Sequence, residues 1–267
     1  MNKFLFLFTL LLAPLGHAAT PQQQLNALFE SDWQWSMRNA PEFATAVGDN
    51  RYNDRLSDVS LAASLAGTAH QQQMLQQAER IDRSKLSGQD LLSYDLFIYE
   101  KQKNIEAAKF YPYNPEPISQ LSGVQFEFPQ LVAQTPFKTA KDYRNYLGRL
   151  RALPKYVDGV IAQLQQGVKS GWVAPKVTMS VVPGQLQEFV AKLDSSPLAA
   201  PFKNMPASIP AAQRASLARE GERLLHQGVA PAFRKLNAYI GDSYLPACRD
   251  SIAASNLPGG AAYYAYK

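Results

Sequence analysis

Apolar residues recur at intervals of three and four along nearly the whole chain after residue 19, the signature of amphipathic helices. Thr20 is a good N-cap, and Pro21 sits at the first helical position, where its missing N–H costs nothing. Leu25, Leu28, Phe29 and Trp33 then fall on one face. A short second helix is expected from Pro41 to Val47, stopped by Gly48 and followed by the turn-rich run 49–54. From about Ser60 to Arg83 a long helix carries Leu61, Leu65, Leu75, Ala78 and Ile81. The next is capped by Ser87 and turns Leu91, Leu92, Leu96, Phe97, Tyr99 and Ile105 inward. Three prolines at positions 112, 115 and 117 interrupt regular structure, since each removes a donor and pushes its predecessor out of the α region.

Thr139 and Asp142 form a weak capping box for a helix through Tyr143, Tyr146, Leu147 and Leu150. Pro154 is expected to start another, carrying Tyr156, Val157, Val160, Ile161 and Leu164 and ended by Gly171. Residues 173–193 read as helical with a break near Pro183-Gly184, and 194–206 as a Pro-rich connector. The longest regular segment runs from about Pro210 to Tyr239, with a kink expected at Pro231. Leu257-Pro258-Gly259-Gly260 reads as a tight bend feeding one short strand from Ala261 to Tyr266. In that strand Tyr264 and Tyr266 would share a face, opposite Tyr263. The expected fold is all-α, an array of seven to nine helices with this single strand near the C-terminus.

Residues 1–18 change the picture, because they read as a cleaved secretory signal. Lys3 gives a positive start, Phe4 to Leu12 is almost unbroken apolar sequence, and Gly16-His17-Ala18 offers small residues for a peptidase. Cleavage is placed after Ala18, with Ala19 the alternative. The apolar run breaks at Pro14 and is too short for a membrane span. The mature chain, residues 19–267, is expected to be a single helical domain in the periplasm or secreted. Its one cysteine, Cys248, cannot form an intrachain disulfide. The net charge of +5 comes from interspersed acids and bases with no long run of one sign, which argues against nucleic acid and polybasic membrane binding.

Candidate chemistry is sparse. His70 and His226 are the only histidines after residue 19, and no His-Glu-x-x-His or cysteine pair occurs. Glu222 and His226 are one helical turn apart and could reach one ion, but as a pair they more simply support the helix. Gly241-Asp242-Ser243-Tyr244 resembles the Gly-Asp-Ser-Leu signature of a hydrolase family, yet no histidine follows to serve as base, so Ser243 would remain a weak nucleophile. The aromatics Tyr94, Tyr99, Phe110, Tyr111, Tyr113, Phe126 and Phe128 belong either to the core or to a groove. Tyr263, Tyr264 and Tyr266 on an edge strand would suit an extended peptide held through its main chain. No catalytic, cofactor-binding or metal-ligating residue is assigned.

Several stretches together carry a family resemblance: Pro41 to Asp49 with its Ala44-Thr45-Ala46-Val47-Gly48-Asp49, the run Phe137 to Pro154, Gly167 to Pro175, Ser196-Pro197, Tyr244 to Arg249, and Leu257 to Gly260 with Tyr263-Tyr264. They resemble the N-terminal portion of the bacterial domain-of-unknown-function family 885. The resemblance implies a helical fold similar to half of the thimet-oligopeptidase and carboxypeptidase Taq class of zinc peptidases. It also implies that full-length relatives hold zinc through a His-Glu motif in their second half. This chain is then expected to be truncated, without zinc, inactive alone, and prone to self-association through an uncovered apolar face. Gly259, Gly260, Tyr263 and Tyr264 would border the substrate cleft, with peptides as partners. The alternative is a complete, non-catalytic helical protein that binds a peptide or an envelope component.

Overall fold

A computed structural model describes residues 19–267; the signal reading of 1–18 lies outside the described residues. Helix α1 (Pro21–Asn39) opens with the cap the sequence announced: Gln23 N–H donates to Thr20 Oγ1 and Thr20 N–H to Gln23 Oε1. After α2 (Pro41–Ala46) come α3 (Leu61–Ala78) and α4 (Gly88–Phe110). Leu25 and Leu28 of α1 meet Met74 and Ala78 of α3 and Tyr94 and Phe97 of α4 in a small separate core. Leu92, Leu96 and Tyr99, expected inside, are 53%, 53% and 59% exposed. On α4 the buried face runs instead through Tyr94, Phe97 and Lys101. Trp33 and Leu65 are also exposed.

The larger core is organised on α6 (Ala140–Ser170), with α5 (Val124–Gln134), α8 (Val182–Ala191), α9 (Ala211–Leu224) and α10 (Ala230–Tyr239) around it. Pro154 lies inside α6 rather than starting a new helix. Leu150, Leu153 and Val157 are buried on both sides of it, and that burial outweighs the one ladder bond a proline removes. The break expected at Pro183-Gly184 falls earlier, between α7 (Lys176–Met179) and α8, and Pro183 occupies the first turn of α8, where it is tolerated.

The kink expected at Pro231 is an enlarged turn. Residues Leu225–Val229 adopt π-helical geometry just before Pro231, and Ile240–Tyr244 repeat it just before Pro246. A proline cannot donate to the preceding turn and its ring crowds it; one extra residue in that turn relieves both problems without ending the helix. Gly241 therefore does not stop the helix, which continues through α11 (Leu245–Ala247) and ends at Cys248 in extended conformation.

The last element corrects the strand. Residues Gly260–Tyr266 form helix α12. Gly259 turns the chain at φ +67°, where a side chain would be strained, and Ala261 and Ala262 are good helix formers. With no neighbouring strand, 261–266 would leave its backbone groups unpaired; as a helix it satisfies them internally. Among the described residues the β-type pairing is one isolated bridge between Pro175 and Arg249. The fold is all-α, with nine helices of seven residues or more among the described residues. None of them is long and apolar enough to cross a membrane.

Candidate functional site

The C-terminal residues singled out in the sequence lie together at one end of α4. Tyr263 and Tyr266, three apart on α12, face the same way, and Tyr264 is 73% exposed. The ring of Tyr263 packs against Trp172 at 5.0 Å, Phe110 at 5.6 Å and Tyr111 at 5.7 Å between centroids, all edge-to-face. Tyr266 donates its hydroxyl to the Lys103 carbonyl at 3.0 Å, while Lys103 Nζ lies 3.8 Å from the Tyr266 ring centre. Gly260 is buried so closely against Ala254 O and Ser255 that a Cβ there would clash. Gly259 and Gly260 thus shape the turn, Tyr263 anchors α12, and Tyr264 presents its ring to solvent.

The remaining sequence candidates are pulled apart. His226 lies in the first π-turn and pairs with Asp194 at 2.8 Å, while Glu222 is exposed. Ser243 is exposed in the second π-turn, and neither histidine contacts it: His70 bonds to Asp32 at 2.7 Å. Of the aromatics weighed for a groove, Tyr94, Tyr113 and Phe128 are buried in the core. Phe110 and Tyr111 join the C-terminal cluster, and Phe126 lines a cavity. Among the described residues no three His, Cys, Asp or Glu side chains come together to hold a metal ion. The donors among the described residues therefore do not fit zinc, because a protein zinc site needs three or four ligands.

Two charged clusters escaped the sequence reading. Asp32 on α1 accepts from Lys101 Nζ at 2.7 Å as well as from His70, and the His70 ring stacks on Trp35 at 3.9 Å. Arg149, 1% exposed, donates to the carbonyls of Arg55 and Pro41 and to the hydroxyls of Thr45 and Thr135. Burial pushes its guanidinium down to about 10, against the pull of Glu42 and Asp54. No local spacing signals either cluster, because the partners lie 38 to 108 residues apart for all but Thr135.

Among the cavities, two beside α5 offer polar groups on apolar walls. One of about 310 Å³ between α2 and α5 is lined by Glu42, Phe43, Ser57, Glu127, Phe128 and Tyr156. Both Glu42 oxygens are taken by Ser57, from its N–H at 2.9 Å and its hydroxyl at 2.5 Å. The other, about 500 Å³, opens between α5, α8 and the turn 195–197.

A profile described as "Bacterial protein of unknown function (DUF885)" matches residues 41–267. The chain belongs to the DUF885 family. A solved structure, "The crystal structure of the putative lipoprotein from Colwellia psychrerythraea", superposes on it with a TM-score of 0.76 at 18% identity. That similarity covers 92% of this DUF885 chain and 45% of the neighbour, so the chain spans less than half of the neighbour's length. At that identity the likeness establishes the shared fold alone. No curated protein matches the chain.

Proposed function

We propose that this chain forms the N-terminal half of a helical, zincin-like peptidase fold and serves as a peptide-holding wall that does not cleave peptides by itself. The observation that carries the reading is the correspondence of 92% of the chain to only 45% of the solved neighbour. In a longer DUF885 protein the other half would supply the zinc-binding side chains. The pairing of the buried His70 with Asp32 supports this division, since that histidine is committed to one carboxylate. Gly259, Gly260, Tyr263 and Tyr264 would border the cleft, with the exposed ring of Tyr264 towards it. The signal-like residues 1–18 support export to the periplasm, and the word lipoprotein in the neighbour's title is consistent with an exported protein.

The test is hydrolysis of a fluorogenic peptide mixture by the pure chain, with and without added zinc and with a chelator. The expected result is no cleavage above background in any condition. Cleavage abolished by the chelator and restored by zinc would refute the reading. Exposed Ile252 and Tyr264 belong to the surface the other half would cover, so the chain alone should self-associate on size exclusion. A second reading, a binding protein complete without catalysis, is favoured by the larger cavity.

A further inference from the structure

The cavity between α5 and α8 is built as a binding site. Its volume, about 500 Å³, lies within the range of small-ligand pockets. Phe126, Pro129, Phe189 and Pro197 supply apolar walls. Two of these are held from behind. The Phe189 ring stacks on the fully buried Phe233 at 4.5 Å, and the turn carrying Pro197 is fastened by Ser196 Oγ donating to the Leu193 carbonyl at 2.6 Å. A wall fixed before binding costs the ligand little ordering entropy.

Two side-chain amides line the same cavity and differ in what they leave open. Gln125 is 4% exposed; its Nε2 donates to the Ser119 carbonyl at 2.9 Å, and its Oε1, without a donor among the described residues, is shut in beside Gly123. Gln185 donates to the Gln120 carbonyl at 3.0 Å, but its Oε1 receives only a long 3.4 Å bond from Gln125. Gln185 is half-buried, so its weakly engaged Oε1 is the amide acceptor on this cavity that a ligand N–H can reach. At the rim, Glu188 and Lys192 form an exposed ion pair at 2.6 Å, weakly held because solvent screens it.

We propose that this cavity is a peptide subsite: it takes one aromatic or large apolar side chain between Phe126 and Phe189, with the neighbouring main-chain N–H donating to Gln185 Oε1. The Gln185 amide matches a peptide N–H, and the rings and prolines match the side chain beside it. None of the residues lining it belongs to Gly259–Tyr264, and the site does not depend on whether the chain cleaves peptides.

The test is a proton–nitrogen chemical-shift titration of the mature chain with N-acetyl-phenylalaninamide and, separately, N-acetylglycinamide. Saturable shifts at Phe126, Gln185 and Ser195 are expected with the first, at least about tenfold stronger than with the second. Ser195→Trp, at an exposed position on the cavity, should fill it and weaken binding by about tenfold or more. Phe126→Ala should do the same by removing a wall. Absence of saturable shifts, equal binding of the two probes, or binding undiminished in both variants would overturn the proposal. Any of these outcomes leaves the hydrolysis assay, and the reading it tests, unaffected.

Discussion

Replacing Arg149 tests how a buried charge without a carboxylate partner is held. Its four bonds go to neutral acceptors: Arg55 O at 2.9 Å, Thr135 Oγ1 at 3.3 Å, Pro41 O at 3.1 Å and Thr45 Oγ1 at 2.6 Å. At about 1.5 kcal/mol for each charge-assisted bond these contribute roughly 6 kcal/mol. Against them stands desolvation. The fall of the guanidinium from 12.5 to about 10 corresponds, at about 1.4 kcal/mol per pH unit, to roughly 3 kcal/mol. Arg149→Met should therefore destabilise the fold by about 3 kcal/mol. It leaves few groups stranded, because Thr45 Oγ1 still donates to Pro41 O and Thr135 Oγ1 to Leu131 O. Arg149→Lys keeps the charge and its desolvation but reaches only one or two acceptors, so its cost should be larger, about 3–5 kcal/mol. Urea unfolding followed by circular dichroism measures both, and hydrogen exchange should locate the loosening in α2 and residues 53–57. A lysine variant more stable than the methionine variant would refute this balance between desolvation and hydrogen bonding.

Asp32→Asn should cost about 3–5 kcal/mol, because it leaves the Lys101 ammonium, 6% exposed, facing a neutral amide; a thermal midpoint within one or two degrees of the parent would contradict this. Burial pushes the Cys248 thiol up to about 11 from 9.0, so at pH 8 the native chain should react with iodoacetamide roughly a hundredfold more slowly than the urea-unfolded chain. Because the folded state holds this proton more tightly, the thiol's contribution to stability is complete below pH 9.0 and is lost as pH rises towards about 11; denaturation midpoints rising through that window in the parent relative to Cys248→Ala would reverse the sign.

Helix content was legible because periodicity of three and four reports burial on one face, and caps at Thr20 and Thr139 act within a few residues. The sequence by itself therefore determined an all-α chain and most helix starts. Its failures share one cause: they turn on what lies across the fold. Pro154 is carried inside α6 by core residues on both sides, and Pro231 and Pro246 are absorbed by enlarged turns within one helix. Residues 261–266 look like a strand until Phe110, Tyr111 and Trp172 supply a surface for one helical face. The amides of Gln125 and Gln185 meet across 60 residues, and Arg149 reaches Pro41 across 108. Tertiary structure alone decided such pairings, because side-chain contacts depend on distance in space, and local pattern carries no information about which distant segment arrives there.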